Sequence, residues 1–226
     1  MMRHLSLPRP SLSRRLARDT SGVAMTEFAL ALVFMLPIAL TGVEVGNLAV
    51  TVLRLNQIAM MAADNVARVR ATIDENDINE VMTGVRFAGE NIKFGDQGRV
   101  IVSTVEDNGQ TGANAGYKIT WQRCFGKKNV TSAYGVAGDG ATNSSMATGM
   151  GPSTNKIRPV SGSALAFAEV RYTYQPLVGT GFMPTMELSA IQSFTVRDRA
   201  SQTLTNISNL TDAQRRLCDA AHLSAT

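Results

Sequence analysis

Gly22-Val23-Ala24-Met25-Thr26-Glu27-Phe28 opens the stretch whose reading decides the fold, and an apolar run continues from it to Val43. Between residues 23 and 43 the only charged side chain is Glu27. The run 28–43 alone is slightly short of the ~20 residues that cross a bilayer, but with 23–25 it is long enough. A carboxylate in such a segment costs roughly 2.5–3.5 kcal/mol at mid-membrane depth, so Glu27 calls for a reason.

Toward the N-terminus, residues 1–21 carry Arg3, Arg9, Arg14, Arg15 and Arg18 against Asp19 alone, with two prolines, several serines and no apolar face. This composition predicts a disordered cytoplasmic arm. It also accounts for the whole net charge of +4. Of 22 Lys and Arg and 18 Asp and Glu, 17 of each sign remain beyond it. The pI near 9.3 is therefore a topology or leader signal, not a sign of a nucleic-acid partner, and the body of the protein is neutral. Positive-inside bias places the N-terminus in the cytoplasm and everything after residue 43 across the membrane. Ser13-Arg14-Arg15 is a partial twin-arginine pattern, but no apolar run follows it at once. A cleaved secretory signal fits poorly, because no convincing small-x-small site follows the run.

Beyond the membrane segment, Leu48, Val52, Leu55, Ala59, Ala62, Val66, Val69 and Ile73 repeat at alternating spacings of four and three. That periodicity extends the helix to residue 73, apolar all round in its first half and amphipathic in its second. One helix over 23–73 would be roughly 76 Å long at 1.5 Å per residue. The acidic cluster 74–77 argues for its end, since acids are unfavourable company for helix carbonyls. Gly42 and Gly46, with Ala39 and Ala49, form a small-residue stripe suited to close helix packing. Pro37 removes one helix hydrogen bond and is expected to kink or loosen the run. Glu44 reads as a mark of the outer membrane–water boundary or as a contact to another subunit.

The pattern past residue 80 is period two. Segments 99–106, 117–123, 164–174 and 186–197 read as strands, with turn residues between them. The stretch 126–162, rich in Gly, Ser, Thr and Asn, reads as a loop that is either functional or mobile. Thr211-Asp212-Ala213-Gln214 is a capping-box pattern that predicts a short helix. Cys124 and Cys218 lie on the far side of the membrane in this topology, so a disulfide between them is expected; two unpaired buried thiols are the alternative. The result is an α+β chain. It has a basic leader over 1–22, a long membrane-spanning then amphipathic helix over 23–73, and a small antiparallel β-rich extracytoplasmic domain over 74–226.

No catalytic constellation stands out. The two histidines are His4 and His222, and no HExxH, GxSxG or GxxxxGK is present. Glu169 and Glu187 fall on separate strands, where solvated strand faces explain them better than a paired-acid site. These readings predict a protein that is not an enzyme and binds neither metal nor cofactor.

With this layout the chain resembles the TadE-like minor pilins of tight-adherence (Flp, type IVc) pilus systems. The resemblance is carried by Arg18-Asp19-Thr20-Ser21-Gly22, by Val23-Ala24-Met25-Thr26-Glu27-Phe28-Ala29-Leu30 and by Leu36-Pro37. Ile119-Thr120-Trp121-Gln122-Arg123-Cys124 and Val170-Arg171-Tyr172-Thr173-Tyr174-Gln175-Pro176-Leu177 carry it more loosely. Phe28 stands where major Flp pilins usually have Tyr. The resemblance implies a pilin-like helix and cleavage by a prepilin peptidase between Gly22 and Val23. Glu27, then the fifth residue, would pair with the N-terminal ammonium of a neighbouring subunit, with Phe28 beside it in the assembly site. A carboxylate snorkelling toward Arg18 is the plainer alternative. The implied partners are the peptidase, other major and minor pilins, the inner-membrane assembly platform and the membrane itself. The implied location is a single pass through the bacterial inner membrane with a periplasmic C-terminal domain, and the surface pilus after assembly. The competing function is a signal-anchored extracytoplasmic binding module that never enters a filament.

Overall fold

The computed structural model describes residues 19–224, together with Ser13 and Ala17; the rest of the basic arm lies outside the described residues. A single helix, α1 (Ser21–Arg68), runs through Pro37 without a break. It is long and apolar enough to cross a membrane as an anchor or to act as a signal sequence. Its two halves have different surroundings. Every side chain from Ser21 to Ala39 is exposed, whereas Thr51, Leu55, Ile58, Ala59, Ala62, Ala63, Val66 and Ala67 are buried at the 3.6-residue period.

The helix ends at Arg68, five residues before the expected end at 73. Two polar contacts stop it. The Arg197 N–H donates to the Ala67 carbonyl at 3.1 Å, and the buried Arg199 guanidinium donates to the Val66 carbonyl at 3.1 Å. A cation at a helix C-terminus satisfies orphan carbonyls and complements the macrodipole. Val69 then turns extended, and Ile73 is buried in strand β1 (Ala71–Asp74) instead of on the helix. The acidic cluster after it starts a helix where it was expected to end one. Asp74 caps α2 (Glu75–Gly89) in a capping box with Asp77. The same macrodipole argument holds with the sign reversed, because acids favour an N-terminus. Ile78, Val81, Met82, Val85 and Gly89 give α2 a buried stripe against α1.

The four expected strands form one antiparallel sheet. They are β2 (Gly98–Asp107), β3 (Tyr117–Phe125), β4 (Leu165–Tyr174) and β5 (Met186–Thr195), in the order β3-β2-β4-β5. A further strand, β6 (Arg199–Thr205), pairs in parallel with β1. Strand β4 is buried on both faces. Its even positions, Ala166, Ala168, Val170, Tyr172 and Tyr174, join the core with α1. Alanines on both the helix and the strand let the two backbones approach closely.

The odd positions of β4 face the other way, and the 126–162 segment covers them. Met146 and Met150 from this segment pack with Val105, Ile119, Leu165 and Phe167 in a second core. Tyr134 meets Phe167 edge-to-face with centroids 5.7 Å apart. Gly140 (φ 76°) brings the segment onto β3 so closely that a Cβ there would lie 2.0 Å from the Tyr117 carbonyl oxygen. The segment is a packed lid over the sheet, held without regular secondary structure.

Cys124 at the end of β3 is disulfide-bonded to Cys218, 94 residues later. Thr211 and Gln214 form the capping box at a 3-10 turn, Asp212–Gln214. The following segment runs beside β3, with the Cys124 N–H donating to Arg216 O at 2.7 Å. Closing a loop of that length constrains the unfolded chain strongly. Replacing both cysteines by serine should lower the denaturation free energy of the head by about 2–5 kcal/mol, measured by urea titration of the oxidised and double-Ser chains.

Candidate functional site

The structure places the sequence-derived site residues in two groups. Gly22, Val23, Glu27 and Phe28 lie on the first turns of α1, all exposed. The Asp19 carboxylate accepts from the Ser21 N–H at 2.9 Å and from its hydroxyl at 2.5 Å, fixing the chain entry just before Gly22. A Cβ at Gly22 would meet no atom within 4 Å, so the small residue is not required by packing inside this chain. Glu27 has no hydrogen-bond or ion-pair partner among the described residues. Arg18, its alternative partner, lies outside them.

Gly42 and Gly46 are exposed, and each has open space around an added Cβ. They sit about 200° around the helix from Glu44, given roughly 100° per residue. Glu44 points into the protein and is fully buried. Gly42, Gly46, Ala39 and Ala49 therefore line the outer side of the helix, away from the head.

Glu44 is where the head grips the helix. Its carboxylate accepts the Tyr174 hydroxyl. The backbone N–H groups of Leu177 and Val178 also donate to it, at 3.1 and 2.8 Å. The Asn47 amide donates to the Tyr174 oxygen at 2.8 Å, and the Thr51 hydroxyl returns to Asn47 O at 2.9 Å. Two turns of helix thus present Glu44, Asn47 and Thr51 to the end of β4. Tyr172, two residues before Tyr174, donates to Ile92 O at 2.7 Å. Tyr174 and Leu177 of the run 170–177, with Val178 just after it, make this clamp.

The segment 119–124 ties the head together. The Trp121 indole donates to Gln202 O at 2.9 Å, joining the four-stranded sheet to β6. Gln122 bridges Ser103 and the Gly135 carbonyl. The buried Arg123 forms a two-point pair with Glu75, through Nε at 2.9 Å and through its second nitrogen. Arg215 donates to the same carboxylate at 2.8 Å. Burial pushes the Glu75 carboxyl up, but the hydrogen bonds and charges of Arg123 and Arg215 outweigh it and hold it below the usual glutamate range.

Glu169 and Glu187 do not form a paired-acid site. Thr173, four residues beyond Glu169 on β4, pairs with Glu187 on β5, which separates the two acids by roughly 13 Å along the sheet. Glu187 is exposed and bonded by Lys128. Glu169 departs from the solvated-face expectation. It is fully buried under the lid, accepting from the Ser132 hydroxyl, the Ala133 N–H and Arg171. The lid residue Ser132 gave no periodic signal that would reveal it. Among the described residues no three His, Cys, Asp or Glu side chains gather in a metal-binding cluster. Comparison with family models, with curated proteins and with solved structures finds no match.

Two outcomes follow from these polar contacts. Glu44→Ala should raise amide hydrogen exchange at Leu177 and Val178 by roughly tenfold or more, because each N–H loses a charged acceptor. A depressed folded-state pKa at Glu75 gives stability that is full above the unfolded-state value and is lost as pH falls from there through the folded-state value. Denaturation curves from neutral to strongly acidic pH should show that loss, and Glu75→Gln should flatten it while costing about 3–5 kcal/mol at pH 7.

Proposed function

We propose that this chain is a minor pilin or pilus-assembly protein of the tight-adherence type, cut by a prepilin peptidase between Gly22 and Val23. The observation that carries the reading is the divided environment of α1. One half is the spine of a folded head, while the other is apolar and has no cover among the described residues. A helix that is apolar all round needs lipid or neighbouring helices, and a pilin meets both in turn.

Glu27 supports the same reading. A carboxylate at the start of an apolar helix, with no cation beside it among the described residues, is tolerable when a positive group arrives from outside. Cleavage after Gly22 would create such a group, the ammonium of Val23, on every copy. Pairing it with Glu27 of a neighbour rewards one stagger between adjacent helices. The outward stripe of Ala39, Gly42, Gly46 and Ala49 suits close approach by those helices. In this proposal the platform and the other pilins are the partners, the inner membrane is the reservoir, and the role is structural, not catalytic.

In cells with an active prepilin peptidase, intact-mass measurement should show the protein without residues 1–22, and Gly22→Ala should leave most of it uncut. A mature N-terminus still at Met1 would overturn the proposal. Glu27→Gln should be processed and folded yet lose incorporation or filament output, whereas a merely tethered binding module would keep its function.

A further inference from the structure

We infer that the loop joining β4 to β5, residues 175–185, is a second membrane contact, a collar seated at the headgroup–acyl boundary beside the helix. This rests on the reading of α1 as a membrane anchor. From residue 172 to 186 the chain has no charged side chain. The loop contains Pro176, Leu177, Val178, Phe182, Met183 and Pro184, and Leu177 and Phe182 are 69% and 46% exposed.

Its depth is set by the clamp. Leu177 and Val178 donate their backbone N–H groups to Glu44, and Glu44 is the residue directly after the uncharged run 28–43. The loop is thereby fixed where the apolar part of the helix ends. Leu40, one turn deeper, is the first side chain of α1 to be partly shielded, so the head reaches to that level. On its other flank the loop borders a cleft where Pro176 and Leu177 of the loop meet Ile92 and the polar Asn47, Asn91, Gln97 and Gln175, with Lys93 as its cation. Apolar tips facing the acyl side and a polar, singly cationic flank behind them match the two layers of a phospholipid surface. The polar needs of the loop backbone next to Glu44 are met inside the protein, as irregular chain near lipid requires.

The test places a nitroxide at Leu177→Cys, Phe182→Cys, Val33→Cys or Ile207→Cys in the full, disulfide-oxidised chain. The chain is reconstituted in vesicles of phosphatidylethanolamine and phosphatidylglycerol. Depth is read from the ratio of oxygen to water-soluble nickel-chelate accessibility. Val33 reports the middle of the apolar run, and Ile207 reports the far end of the head, where its N–H donates to Asp74 at 2.7 Å. The expected ratios at 177 and 182 are severalfold above that at 207 and below that at 33. Ratios at 177 and 182 equal to that at 207, with 33 deep, overturn the collar and leave the anchor standing. A water-accessible Val33 overturns both. Spin–spin coupling between Phe182 labels of two copies, without oxygen enrichment, assigns the patch to a second copy and also overturns the collar.

The unmodified chain gives an independent measurement. Hydroxyl-radical oxidation in vesicles should be severalfold lower at Phe182 than at Phe87, both of them exposed phenylalanines. Phe87 lies next to Ala88, whose carbonyl accepts from Arg54, ten residues beyond Glu44 on α1. Equal oxidation at these sites overturns the collar.

Discussion

A buried carboxylate with no cation among its contacts depends on donors held in place, and Glu44 finds them in a tyrosine hydroxyl and two consecutive backbone amides. That network fixes two degrees of freedom at once. A rotation of α1 by one residue would swing Glu44 about 100° away from them. A slide by one turn would put an apolar side chain, Leu40 or Leu48, opposite three donors. The alanine-rich contact of α1 with β4 lies further up the same helix face. Polar contacts at both ends of the packed half remove that freedom: Glu44 at the lower end, and the capping of Val66 and Ala67 carbonyls by Arg199 and Arg197 at the upper. Between them the apolar contacts supply the bulk of the adhesion, and the polar ones choose the register.

Much of this was legible in the residues. The apolar run, its continuation as an amphipathic face, the four strands of the sheet and the cysteine pair all follow from periodicity and topology. The end of the helix was not, because Val69 and Ile73 continue the helical spacing although Val69 is the extended, half-buried residue that caps the helix and Ile73 is buried in a strand. Spacing records which residues are inside and is silent about which element carries them there. The acidic cluster shows the same ambiguity. Asp74 to Asp77 disfavours a C-terminus and favours an N-terminus, and only the apolar spacing of Ile78, Val81, Met82 and Val85 distinguishes the two. Strand β6 is polar at most positions and is fixed by its neighbours, Trp121 and β1, so its own residues carry little signal.

The clamp was half visible. Glu44 stands out at the end of an uncharged run, but its acceptor role depends on Tyr174, 130 residues away in sequence. The same holds on the opposite face of the sheet, where Glu169 and the lid that satisfies it are joined only by tertiary structure. Gly, Ser and Asn in the 126–162 segment look like a loop composition because they build turns. The few large residues among them, Tyr134, Met146, Met150 and Ile157, are the ones that form a core. In both places a strand-borne side chain becomes intelligible once the segment that covers it is known.

The pairing of Cys124 with Cys218 also imposes an order on folding. Strand β3 is at the edge of the sheet, and the segment that shields its outer side follows it by about the 94 residues that separate the two cysteines. At a synthesis rate of about 5–20 residues per second, the interval between the two emerging is roughly 5–20 s. During that time Ile119 near the start of β3 already has Gly138 and Asp139 as backbone partners, while Cys124 and Gly126 at its end still lack Arg216 and Ser224, and such open edges invite pairing with other chains. The edge of β3 is therefore closed in two stages, its start by the segment that follows at once and its end by the C-terminal residues that the disulfide ties down.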